Sequence, residues 1–155
     1  MRQVPQNLKY LIIGSGRVSK HFTYYFSLLE IQTSHWNRKE SLEKLKERSS
    51  EVTHVLVLIS DDALNKFITE HSFLKTKNII HFSGATTVEG TSSAHPLMTF
   101  STNLYDLDTY KSIPFVPISM VSSNLPCSKY IALKSKEHLA SKSSNFCCRI
   151  APKIL

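Results

Sequence analysis

Residues 8–13, Leu-Lys-Tyr-Leu-Ile-Ile, followed at once by Gly14-Ser15-Gly16, constrain this chain more than any other segment. A short apolar run stopped by two glycines predicts a buried strand that ends in a tight turn. Past the turn, Val18, Phe22, Tyr25, Phe26 and Leu29 recur at i, i+4, i+7, i+8 and i+11, the spacing of one face of a helix. Residues 31–36 then fit a second strand. Residues 8–36 therefore read as a βαβ unit of about 30 residues, and a βαβ unit implies parallel strands joined by a crossover helix.

The remainder extends this pattern. Residues 40–48 predict a short charged helix, with Glu40 and Lys44 at i, i+4 and with Leu42 and Leu45 available to the sheet. Residues 52–59 are apolar at almost every position, as in a strand covered on both faces. Ser60, Asp61 and Asp62 are N-cap candidates for a helix that carries Leu64, Phe67, Ile68 and His71 on one face. Residues 78–82 form a further strand candidate closed by Ser83-Gly84. Residues 113–118 read as another, which Pro114 and Pro117 confine to a sheet edge. Strands alternating with helices predict an α/β fold, a Rossmann-type doubly wound parallel sheet of the NAD(P)-binding kind.

The turn has its own chemistry. Pyrophosphate needs a strand end without side chains, so that it can approach backbone N–H groups at a helix N-terminus. Gly14, Ser15, Gly16, Arg17 and Val18 supply such a loop, with Ser19 in place of the third glycine of G-x-G-x-x-G. The end of the second strand selects the cofactor. An acidic residue there binds the ribose 2′-OH of NAD, whereas a basic one suits a 2′-phosphate. Trp36 is followed by Asn37-Arg38-Lys39, with an acid only at Glu40, so the expected cofactor is NADP(H).

LIIGSGRVSKHF, SHWNRK, SDDAL, HFSGATT and SAHPLMTF, in this order, resemble the bacterial Rossmann-like oxidoreductases that carry a C-terminal domain of unknown function. That group is similar to pyrroline-5-carboxylate reductase, ketopantoate reductase, the deazaflavin-dependent NADP reductases and prephenate dehydrogenase. The resemblance spans roughly residues 7–120. It implies a pyrophosphate loop at Gly14, Ser15, Gly16, Arg17 and Val18, and an adenosine-phosphate site at Asn37, Arg38 and Lys39. It also implies that Ile59, Ser60 and Asp61 lie beside the nicotinamide ribose, with Ser83 and His95 at the nicotinamide end. Hydride transfer at a carbon bearing oxygen or nitrogen needs a partner for the accompanying proton, and His titrates near neutrality. A His before Pro can equally serve a backbone carbonyl, and Ser-Gly after a strand is ordinary turn chemistry.

Composition adds an asymmetry. Of 155 residues, 41% are hydrophobic and the net charge is +7; residues 122–155 hold six Lys/Arg against one acid, and all three Cys. The expected organisation is a Rossmann-like domain over residues 1–120 and a basic Ser/Lys-rich tail over 121–155. Members of the resembled group follow the nucleotide domain with a helical domain that forms a homodimer and closes the substrate pocket. The tail has too little apolar material for such a domain, so it reads as the truncated or degenerate remainder of one.

No apolar run approaches the ~18–20 residues of a membrane span, and a cytoplasmic protein with reduced thiols is expected. The scattered His and Cys have no metal-ligand spacing, so no metal is expected. Neither a nucleophile elbow nor a P-loop is present. The expected function is NADP(H) binding in an oxidoreductase acting on a small metabolite. The alternative is a non-catalytic scaffold whose basic tail binds nucleic acid or an acidic partner; the spread lysines and the lack of interleaved aromatics argue against nucleic acid.

Overall fold

The computed structural model describes residues 8–116 and the strand Cys148–Arg149. In chain order the elements are β1 (Tyr10–Ile13), α1 (Arg17–Leu28), β2 (Thr33–Trp36), α2 (Leu42–Ser50), β3 (His54–Val57), α3 (Asp61–Glu70), a 3-10 helix (Ser72–Thr76), β4 (Asn78–His81), β5 (Ser92–Ser93), β6 (His95–Pro96), α4 (Leu107–Ser112), β7 (Pro114–Val116) and β8 (Cys148–Arg149). Five strands form one sheet in the order β2-β1-β3-β4-β5, and every pair in it is parallel. Three short strands, β6-β7-β8, form a second, antiparallel sheet.

Strand alternation explains why the β1 and β3 runs are apolar throughout. Tyr10, Ile12, Leu56 and Leu58 face α1 and α4, meeting Phe22, Tyr25, Phe26 and Tyr110. Leu11, Ile13, Val55 and Val57 face the other way, against Leu45 of α2 and Leu64 and Ile68 of α3. With helices on both faces, neither register of side chains meets water. From β1 the chain steps to β2 on one side and then crosses to β3 on the other. The strand order therefore reverses between β1 and β3, and a crevice opens at their carboxyl ends, the usual ligand position in a doubly wound sheet.

Several sequence expectations need correction. Ser41, not Glu40, begins the second helix: its hydroxyl accepts from the Lys44 N–H. Glu40 thus lies outside the helix and pairs with Arg48 at 2.8 Å instead of with Lys44. Leu45 is buried against the sheet as expected, whereas Leu42 is 41% exposed. Residues 114–116 are not an edge of the parallel sheet. β7 is the middle strand of the small antiparallel sheet, and Pro114 is tolerated as its first residue, where a missing N–H costs least. Of residues 121–155, all but Cys148–Arg149 lie outside the described residues, as does Pro117. No helix among the described residues is long and apolar enough to cross a membrane.

Candidate functional site

Gly14 occupies the reversal point. Its N–H donates to the Trp36 carbonyl of β2 at 2.9 Å, while the chain beyond β3 passes close on the other side. Its φ of +135° suits glycine alone, and a Cβ there would run into the Leu58 carbonyl. This glycine lets the chain beyond β3 pass against the end of β1. Gly16 has a different role. It is the N-cap of α1 in extended conformation, no side chain caps it, and a Cβ added to it would meet nothing within 4 Å. Its open side belongs to a cavity of about 590 Å³.

Most of the sequence-predicted site residues come together around that cavity: the cofactor candidates Gly14, Ser15, Gly16, Arg17 and Val18 from the turn, Asn37 and Arg38 after β2, and Ile59, Ser60 and Asp61 after β3, and the catalytic candidate Ser83 after β4. Lys39 and His95 are not among its lining. Lys39 is exposed, and its N–H donates to the Asn37 side chain at 3.0 Å. That bond folds Asn37 into an Asx turn which presents Arg38. Arg38 makes no ion pair or side-chain hydrogen bond among the described residues. Glu40 is held away from the cavity by Arg48, which also donates to the His35 carbonyl. His35 has its pKa lowered, first by burial and then by the Arg48 charge, with Glu40 opposing.

Arg17 donates to the Phe100 carbonyl at 3.2 Å, tying the turn to the loop that precedes α4. Ser83 is buried, and its hydroxyl accepts from the Ala85 and Thr86 N–H groups at 3.2 and 2.9 Å, the turn chemistry expected of Ser-Gly. His95 is half-buried in β6, with Nδ1 against the Phe82 carbonyl at 3.1 Å. Because a carbonyl can only accept, Nδ1 carries the proton and Nε2 is left as the acceptor in the neutral ring. Gly84 makes this possible, since a Cβ there would sit 2.8 Å from the same nitrogen.

The sequence reading missed one wall. Ala63, Lys66, Phe67 and Glu70 of α3 line the cavity, at i, i+3, i+4 and i+7. The signal was present in that spacing, masked by the apolar face of Leu64 and Ile68 one position on. Trp36 lines the cavity beneath Phe67, their ring centroids 5.9 Å apart. His81, at the end of β4, is 1% exposed, and its Nδ1 has no hydrogen-bond partner among the described residues. Burial lowers its pKa, and the nearby Asp61 carboxylate acts in the opposite direction. No group of three or more His, Cys, Asp or Glu among the described residues is arranged to hold a metal ion.

Comparison with protein-family models and with curated protein sequences gives no match in either case.

Proposed function

We propose that the cavity is a dinucleotide site, that its ligand is NADP(H), and that the chain is the nucleotide-binding part of an oxidoreductase acting on a small metabolite. The observation that carries this reading is the presence of Gly16 and Arg38 in the lining of one cavity. Gly16 leaves an uncapped helix N-terminus open to an anion. Arg38 offers a guanidinium that no carboxylate engages among the described residues, and the first acid after β2, Glu40, is held by Arg48. The volume of about 590 Å³ lies within the range of roughly 300–1,000 Å³ common to ligand sites.

When bound, the nicotinamide supplies the hydride chemistry. The chain's own residues position and exclude. The Gly14–Val18 turn receives the pyrophosphate, Arg38 the 2′-phosphate, and Ile59, Ser60 and Asp61 flank the ribose nearer the reacting end. Of the two proton partners proposed for that end, Ser83 lines the cavity and His95, outside the lining, would act through Nε2, since Nδ1 is committed to Phe82. Calorimetric titration of the full chain with NADPH and NADH tests the reading. Tighter binding of NADPH, weakened by Arg38→Ala, supports it; heat from neither nucleotide overturns it. If turnover is found, His95→Ala is expected to lower kcat and leave NADPH affinity unchanged.

A further inference from the structure

We infer that Lys66 is a second cation for the 2′-phosphate, held in reserve by Glu70. The inference rests on the cavity being an NADP(H) site and adds a specificity residue from a different wall. α3 presents Lys66, Phe67 and Glu70 to the same cavity that Arg38 lines from the loop after β2. Phe67 is held in place by two neighbouring rings, stacked on His71 at 4.4 Å and tilted against Trp36 at 5.9 Å, and is half-buried in the cavity lining. It is therefore a fixed apolar surface of the kind on which an adenine ring rests. With Lys66 on α3 and Arg38 after β2 both lining this cavity, a phosphate on the ribose attached to that base can be met from two walls.

Lys66 is poised for exchange. Its ammonium is 3.8 Å from a Glu70 carboxylate oxygen, and the two side chains are 77% and 55% exposed. So long and so solvated a contact is weak, and Lys preceding Glu by four is the less favourable order on a helix. A phosphate monoester carries close to two negative charges and three acceptor oxygens, more than one carboxylate offers. Lys66 exchanges Glu70 for the phosphate when a 2′-phosphorylated nucleotide binds.

The test uses the full chain and three probes, NADPH, NADH and adenosine 2′,5′-bisphosphate, titrated by calorimetry. Lys66→Gln is expected to weaken NADPH and the bisphosphate about tenfold while NADH stays within about twofold, and Glu70→Gln to tighten NADPH a few-fold. Lys66 and Glu70 are exposed on the α3 surface and Arg38 is exposed in the loop after β2, and an unchanged circular dichroism melt verifies folding. NADPH affinity unaltered by Lys66→Gln, with Arg38→Gln still weakening it, overturns this inference alone. Equal weakening of NADPH and NADH by Lys66→Gln, or weakening of NADH by Glu70→Gln, overturns it as well, the latter making Glu70 a ribose acceptor. Failure of the unsubstituted chain to bind any probe overturns the cofactor reading itself.

Discussion

The hydroxyl of Ser19 donates to the carbonyl of Gly14 over 2.9 Å, joining the first turn of α1 to the end of β1. Ser19 stands where the glycine pattern places a third glycine, and at 3% exposure it packs as closely as that position requires. The departure from the pattern thus adds a bond across the turn. Ser19→Ala is expected to lower stability by about 1 kcal/mol through the lost acceptor partner, read as a lower urea midpoint at constant m.

The two glycines of the turn separate by mechanism. Gly14→Ala places a Cβ against the Leu58 carbonyl at a φ of +135°, a cost of at least about 3 kcal/mol from strain and overlap together. We expect it to abolish soluble folded protein. Gly16→Ala meets open space, so its stability cost is below about 1 kcal/mol, the difference between Gly and Ala at an N-cap. Its effect is on the ligand: NADPH affinity is expected to fall at least about tenfold with an almost unchanged melting temperature.

Tyr110 and His21 form the knot under α1. The Nε2–H of His21 donates to the Ser101 carbonyl at 3.0 Å, so its Nδ1 accepts from the Tyr110 hydroxyl at 2.7 Å. The same hydroxyl accepts from the Tyr105 N–H at 3.3 Å. Tyr110→Phe leaves both groups without this partner, and His21, 1% exposed, has no water to turn to. A loss of about 1–3 kcal/mol follows, together with faster amide exchange in the loop before α4.

Acid stability follows from three histidines. Burial lowers the pKa of His35, His54 and His81 from 6.5, so the unfolded chain binds protons that the folded chain refuses. Their contribution to stability is complete above the unfolded value and is lost as pH falls below it. The melting temperature is expected to be flat from pH 8 to about 7 and to decline towards pH 5. His81→Leu removes the group whose Nδ1 is unpartnered and should make that decline shallower without lowering the plateau.

The β1–turn–α1–β2 unit was legible because one signal covers it: apolar runs broken by Gly14 and Gly16. The strands came out shorter than their apolar runs, as with residues 52–59, of which His54–Val57 pair as strand; Leu58 and Ile59 are apolar because each continues one of the two cores past the last paired residue. Glu40 was misplaced because i, i+4 spacing suggests a helical pair whether or not a helix starts there, and Ser41 decides the start. α4, six residues long, is too short for periodicity to mark, and only tertiary contact through Tyr110 reveals its buried face. Residues 113–118 misled because two prolines argue for an edge, while the partners that surround β7 lie far off in sequence. For the site, the turn and the loop after β2 were readable from residue type. The α3 wall required knowing which side of that helix the reversal between β1 and β3 leaves uncovered.

Ala94 alone separates β5 from β6, and its N–H donates to the His81 carbonyl at 2.9 Å. One residue farther on, His95 grips Phe82. The small antiparallel sheet is therefore spliced to the large parallel one through a single buried alanine and has no linker in which to swing. Heat absorbed by either sheet is then shared by both, and the described domain is expected to melt as one thermodynamic unit, with equal calorimetric and van't Hoff enthalpies in a scanning calorimeter.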